Sequence, residues 1–210
     1  MFKTKFPDLT SKISRKIGSI FSRLGLPPNF WTIASIVPAI IGFYFLLSYK
    51  DMFLGFLFFF ISGFLDAIDG AVARVTRSSS KLGGYLDGII DRIVEAFLLI
   101  GLLLFNLPGF YVYGYWLPSY LLIALLLFFG SALVSYSRAY ASQKGVIVSE
   151  KILEWMPGIL ERTERLILIG VGMLLYYLNP LYTTYVIAIA LILSIITLLQ
   201  RVVFVIRHGA

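Results

Sequence analysis

DAIDGAVARVTRSSSKLGGYLDGIID, residues 66–91, sets four aspartates between two apolar stretches of membrane length. Asp66 and Asp69 are three residues apart and Asp87 and Asp91 four, so on helices each pair shares a face. The apolar runs on either side predict two antiparallel helices joined by the turn TRSSSKLGG, with the carboxylate pairs facing each other near one end. Four ionised carboxylates in a low-dielectric setting repel one another, so they are partly protonated or held by cations. Arg74 and Arg92, within the two helices, are too few to neutralise them. Hard divalent cations are the better counter-charge, because Mg²⁺, Mn²⁺ and Ca²⁺ take oxygen ligands and Mg²⁺ commonly pairs a few carboxylates with substrate phosphates. Two such ions would suit an in-line displacement at phosphorus.

The rest of the chain fits a membrane setting. Of its 210 residues, 59% are hydrophobic and 14% charged, whereas a soluble domain is about a quarter charged. There is no cysteine, which excludes disulfides and thiolate metal sites, and the single histidine, His208, is third from the end. Carboxylates are left as the plausible metal ligands and bases. The net charge of +7 reads as basic residues facing an anionic lipid surface rather than nucleic acid. The N-terminal MFKTKFPDLTSKISRK is basic but has no long apolar core behind it, so no cleavable leader is expected.

Six stretches approach the length that crosses a bilayer: 31–47, 53–75, 83–104, 117–140, 166–178 and 184–206, the fifth being short unless it starts near Leu160 and includes two arginines. The expected fold class is an all-α integral membrane protein, with six transmembrane helices preceded by an amphipathic interfacial helix. That helix covers 6–24, where Leu9, Ile13, Ile17, Ile20, Phe21 and Leu24 recur at helical spacing among Lys12, Arg15, Lys16 and Arg23. An ordinary helix packed on the protein is the alternative. Pro27 and Pro28 are expected to stop it. Basic residues gather in alternate connections: Lys3, Lys5, Lys12, Arg15, Lys16 and Arg23, then Arg74, Arg77 and Lys81, then Lys144 and Lys151, then Arg207. The other connections hold only Lys50 and are rich in Tyr and Trp. This asymmetry predicts a multi-pass protein of the cell membrane with both termini and the aspartate site on the cytoplasmic side. With no repeat and no long linker, 1–210 reads as one domain, with the six-helix bundle at 30–206.

The spacing D-x2-D-G-x2-A-R-x8-G-x3-D-x3-D is met in full by Asp66, Asp69, Gly70, Ala73, Arg74, Gly83, Asp87 and Asp91. It resembles the signature of the CDP-alcohol phosphatidyltransferases. That resemblance implies a six-helix membrane fold, usually a homodimer, and a reaction in which an acceptor hydroxyl displaces CMP from a CDP-linked lipid. It further implies two Mg²⁺ ions, with Mn²⁺ as a substitute. Asp66, Asp69 and Asp87 would bind the first ion. Asp66, Asp87 and Asp91 would bind or lie beside the second, with Asp91 also the general base. Gly70, Ala73 and Gly83 would leave room for the CDP-lipid and Arg74 would contact its phosphates. Asn29, Thr32 and Ser80 would complete the donor side.

The acceptor is read from the second half. Arg138 lies in SYSRAYASQKG, Arg165 in ERTERLIL and Arg201 in LLQRVVFV, each near the same end of its span. Guanidiniums at one level can converge on a phosphate. Each alone could instead be an anchor that snorkels to the interface, but Arg201 stands inside apolar sequence with Arg207 already available as anchor. A phosphorylated acceptor is therefore expected. These later segments resemble the phosphatidylinositol-phosphate and archaetidylinositol-phosphate synthases of the family, which implies inositol 1-phosphate as acceptor, bound by Arg138, Arg165 and Arg201. Glycerol 3-phosphate is the nearest alternative, since it too needs an anion site. A cation or proton transporter is the alternative from another class; it predicts acids along several spans, whereas these cluster toward one side.

Overall fold

The computed structural model describes residues 7–209 except 79, 148, 150, 151 and 154, and describes the side chains of these apart from 7–11 and 13. Lys3, Lys5, Phe6 and Lys151 lie outside the described residues, as do the side chains of Leu9 and Ile13. The fold is mostly helical: α1 (Pro7–Phe21), α2 (Pro28–Tyr49), α3 (Met52–Thr76), α4 (Lys81–Phe105), α5 (Ser119–Gln143), α6 (Arg162–Leu175) and α7 (Pro180–His208). The chain divides into two compact units, 1–98 and 99–210, with the boundary inside α4.

In the first unit, α1 runs into a 3-10 turn, Ser22–Leu24, and ends at Gly25 with φ +68, a conformation that costs glycine no Cβ clash. Pro28 then takes the first position of α2. The prolines thus start α2 rather than stop α1. The first N–H groups of a helix have no partner within it, so proline loses nothing there. Gly18 lets α1 lie against α3, for a Cβ would run into the carbonyl of Ala71. Ile17 and Phe21 pack on buried Trp31, Ile68 and Val72, while Ile20 and Leu24 stay exposed. One face of α1 therefore packs on protein, and a second apolar edge is left uncovered. Beyond a left-handed Lys50, Asp51 caps α3, its Oδ1 accepting from Leu54 N at 2.9 Å. Gly42 and Gly55 let α2 and α3 approach closely; a Cβ on Gly55 would stand 2.5 Å from Leu46 Cδ2.

In the second unit, the connection after α4 is not a plain loop. Phe110–Val112 (β1) and Tyr115–Leu117 (β2) form an antiparallel hairpin, with Tyr113 and Gly114 both at positive φ in its turn. Two positive φ values match the strand twist of a two-residue hairpin turn. The hairpin is an addition to an otherwise helical chain. The aromatic residues read as an interfacial belt are also good strand formers, and Tyr111 pairs across the hairpin with Trp116. Small polar residues then tie α7 to its neighbours: Thr183 donates to the Gly172 carbonyl at 2.8 Å and Thr184 to the Pro108 carbonyl at 2.7 Å. Such hydrogen bonds replace the hydrophobic driving force that helices lack in lipid.

Among the described residues, four helices, α2, α3, α5 and α7, are long and apolar enough to cross a bilayer. Helix α4 is also 25 residues long but carries Asp87, Asp91, Arg92 and Glu95. Helix α6, at 14 residues, begins earlier than the expected 166–178 and ends at Leu175. Large apolar side chains stay exposed along these helices, among them Phe60, Ile167, Ile192 and Leu199. The fold is that of a multi-pass membrane protein.

Candidate active site

Helix α3 carries Asp66 and Asp69, and α4 carries Asp87 and Asp91. Carboxylate oxygens of Asp66, Asp69 and Asp87 all lie within 4.8 Å of one another. Asp69 is the most enclosed, 8% exposed, and its Oδ2 accepts a 2.5 Å hydrogen bond from the buried hydroxyl of Thr32 in α2. The donor set is all oxygen, anionic and shared between two helices, which fits a hard divalent cation. Asp91 stands outside this group; its Oδ2 is 3.4 Å from Arg92 Nη1. The three acids expected to hold a first ion are thus gathered, and the fourth is one turn further along α4.

The remaining donor-side residues sit around these helix ends. Ser80 caps α4, its Oγ accepting from Gly83 N at 2.9 Å. A Cβ on Gly83 would lie 2.9 Å from Asn29 Oδ1 and 3.1 Å from Ser80 Oγ, so Asn29, Ser80 and Gly83 form one contact. A Cβ on Gly70 would meet only the Arg74 guanidinium, and one on Gly84 or Gly88 would meet nothing within 4 Å. Close packing among the described residues therefore does not account for those three glycines. Arg74 is exposed and donates from Nη2 to Ser14 Oγ of α1 at 2.6 Å, and Ala73 beside it is half-buried. Thr32, expected on the donor side, donates its hydroxyl to Asp69.

In the second unit, Arg138 of α5 and Arg201 of α7 meet on a single atom. Glu161 Oε1 is 3.7 Å from Arg138 Nη2 and 3.5 Å from Arg201 Nη2. Arg201 is buried and also donates from Nη1 to the Val134 carbonyl. Arg165 is 1% exposed, and its backbone N–H bonds the Glu161 carbonyl at 2.9 Å. Three of the arginines singled out in the sequence are thus tied to one residue, two by side chain and one through the first turn of α6.

A sequence model of the CDP-alcohol phosphatidyltransferase family matches residues 26–197. The chain belongs to this family. It is similar to the archaetidylinositol phosphate synthase of Pyrococcus horikoshii, at 35% identity over 89% of this chain and 87% of that one. It is also similar to the protein of the same name from Methanothermobacter thermautotrophicus, at 31% over 92% and 90%. The phosphatidylinositol phosphate synthase of Mycolicibacterium smegmatis is 31% identical over 91% and 82%. The crystal structure of Mycobacterium tuberculosis phosphatidylinositol phosphate synthase with CDP-DAG bound shares the fold, with a TM-score of 0.74 at 24% identity over 92% of this chain and 94% of that one.

As a CDP-alcohol phosphatidyltransferase, the chain is a transferase of phospholipid biosynthesis. Its cluster of Asp66, Asp69 and Asp87 is able to hold a metal. Two acids escaped the sequence reading. Glu95 of α4 is fully buried, and the signal was an acid one turn beyond Asp91 inside apolar sequence. Glu161 precedes the apolar run of α6 with Glu164 three residues on, the pattern of a capping box. Both halves of that box are present, the Glu161 side chain accepting from the Glu164 N–H and the Glu164 side chain from the Glu161 N–H.

Proposed function

We propose that this enzyme transfers the lipid phosphate group of a CDP-linked lipid, on a diacylglycerol or archaeol backbone, to a hydroxyl of inositol 1-phosphate and releases CMP. The convergence of Asp66, Asp69 and Asp87 is the observation that carries the reaction. The names of the relatives and the meeting of Arg138 with Arg201 support the acceptor. Asp66, Asp69 and Asp87 would hold one Mg²⁺, and Asp66 and Asp87 with Asp91 a second, Mn²⁺ serving as substitute. Bound there, the ions would polarise the pyrophosphate oxygens and stabilise the charge that develops on CMP. Thr32 holds the Asp69 carboxylate in place. Gly70, Ala73 and Gly83 leave room for the nucleotide, with Asn29 and Ser80 along its edge, and Arg74 turns from Ser14 to its phosphates. Asp91 takes the proton of the attacking hydroxyl. A carboxylate is a weak base for an alcohol, so positioning supplies much of the rate.

The arginines would bind the acceptor's phosphate. Arg165→Ala or Arg201→Ala then raises the acceptor KM far more than the donor KM, and equal effects on both would remove this assignment. In the same reading α4 and α6 complete six spans, α1 lies at the interface through Ile20 and Leu24, and the enzyme is a homodimer of the cell membrane with both termini and the site facing the cytoplasm. The deciding experiment is CMP release by purified protein in detergent with Mg²⁺ and a CDP-lipid. Inositol 1-phosphate, glycerol 3-phosphate, free inositol and serine are offered separately. Release with inositol 1-phosphate alone is expected. Release with glycerol 3-phosphate keeps the aspartate mechanism and replaces the acceptor. No release with any acceptor, under ester and ether donors, overturns the proposal.

A further inference from the structure

We infer that Glu161 is a positioning residue of the acceptor-phosphate site: its carboxylate, locked by the first turn of α6, holds Arg138 of α5 and Arg201 of α7 on one point before the phosphate arrives. This rests on the proposed role of the arginines.

Two guanidiniums aimed at the same place repel, and an arginine near an interface tends to extend toward water. Arg138, with a side chain 41% exposed, is free to do so. Arg201 is not, being buried and already bonded to the Val134 carbonyl. What draws Arg138 toward Arg201 is a shared carboxylate oxygen, Glu161 Oε1, at 3.7 and 3.5 Å. Those separations exceed the 2.7–2.9 Å of a full charge-assisted hydrogen bond. The carboxylate therefore orients the guanidiniums without consuming their donors. Arg138 Nε is buried and has no hydrogen-bond partner among the described residues, so a donor remains for a phosphate oxygen.

The carboxylate is itself held fast. It accepts the Glu164 N–H, and the Glu164 side chain returns to the Glu161 N–H at 2.9 Å. The turn before it is pinned to α7, with Ile159 N donating to Gln200 Oε1 at 3.2 Å and Leu160 N to Thr197 Oγ1 at 3.0 Å. Arg165 begins in the same turn. One acid thus holds side chains from α5 and α7 on one point.

Two conservative variants separate this role from helix capping. Glu161→Asp keeps charge and cap, since aspartate is a preferred N-cap, but withdraws the carboxylate from the guanidiniums by one methylene. Glu161→Gln keeps reach and removes charge. Both are expected to raise the KM for inositol 1-phosphate about tenfold, the cost of roughly one charge-assisted contact, with the CDP-lipid KM unchanged. A second readout is independent of turnover: inorganic phosphate, titrated by calorimetry into the full chain in detergent, should bind about tenfold more weakly to both variants. A wild-type acceptor KM in Glu161→Asp makes Glu161 a cap only and overturns the inference. So does an equal rise in both KM values while Arg138→Ala moves the acceptor KM alone. If Arg138→Ala itself moves both KM values alike, and wild-type protein binds no inorganic phosphate, the acceptor reading of the arginines is what fails.

Discussion

The two charged clusters are supported in opposite ways. In the first unit, three carboxylates crowd within 4.8 Å, and the hydrogen bond described to the most enclosed of them comes from a neutral hydroxyl, Thr32. In the second, Arg138 and Arg201 share an opposite charge, Glu161. Three carboxylates this close repel one another, and a cation among them relieves that repulsion. On the proposed function, a cationic pair already steadied by an acid would keep its shape while empty and take its anion as substrate. On the same proposal, the first cluster would hold a resident ion and the second a ligand that comes and goes.

Removing the ion is the most direct attack on that contrast and carries the largest expected effect. Excess EDTA should bring CMP release to background, and Mg²⁺ or Mn²⁺ should restore it. Divalent ions should also raise the melting temperature of the wild type, because a ligand that binds only the folded state stabilises it. That rise should vanish in Asp66→Asn/Asp87→Asn. Turnover untouched by the chelator would break the contrast outright.

Asp91 sharpens it. This residue is on the same helix as Asp87 but outside the gathered three. As the proposed base it should cost about 10²- to 10⁴-fold in kcat when changed to Asn, while CDP-lipid binding stays largely intact. A wild-type rate in Asp91→Asn would remove it as the base. Binding lost together with rate would place it among the ligands of the first ion instead.

The same contrast separates what could be read in the sequence from what could not. Four aspartates, with Gly70, Ala73, Arg74 and Gly83 among them, fall within 26 positions on two consecutive helices, so helical spacing alone puts the acids on matching faces. Arg138, Glu161 and Arg201 come from separate elements, and only folding makes them neighbours. Arg201 could be singled out because a charge in apolar sequence is costly, and Arg138 and Arg165 because they fall near the same end of their spans. Glu161 stood among other charges in ERTERLIL and carried no such mark. The apolar helices were legible from length and hydropathy. The hairpin was not, because Tyr and Trp serve an interfacial belt and a strand equally well, and its turn has Tyr113 in the left-handed position where Asn or Asp is usual. Pro28 could be read as a breaker or as a first residue, and position relative to the helix start decides between them.

Thr32 tests what a neutral hydroxyl contributes to the anionic cluster. Thr32→Val keeps the shape and removes the hydroxyl that holds Asp69 Oδ2. Partners of metal ligands are generally worth about 10- to 100-fold in metal affinity. The concentration of Mg²⁺ at half-maximal CMP release should rise by that factor, with saturating kcat little changed. If Asp69 needs no orientation, the Mg²⁺ dependence will be that of the wild type, and Thr32 returns to the donor-nucleotide side where the sequence first put it.

The smallest expected effect belongs to Gly83, where the donor edge can be crowded without touching a charge. Alanine in place of glycine inside a helix ordinarily stabilises by about 0.5–1 kcal/mol. At Gly83 the new methyl would lie 2.9 Å from Asn29 Oδ1 and 3.1 Å from Ser80 Oγ. Both are side-chain atoms that can yield, so Gly83→Ala should fold and displace Asn29. A several-fold rise in the CDP-lipid KM is expected, about 1 kcal/mol or less by the tenfold-per-1.4 conversion, with no change in the acceptor KM. Gly63→Ala is the control, since a methyl there meets nothing within 4 Å; it should show the helix gain and no kinetic change. A donor KM unmoved in Gly83→Ala would mean that the contact among Asn29, Ser80 and Gly83 holds the start of α4 and has no part in the nucleotide site.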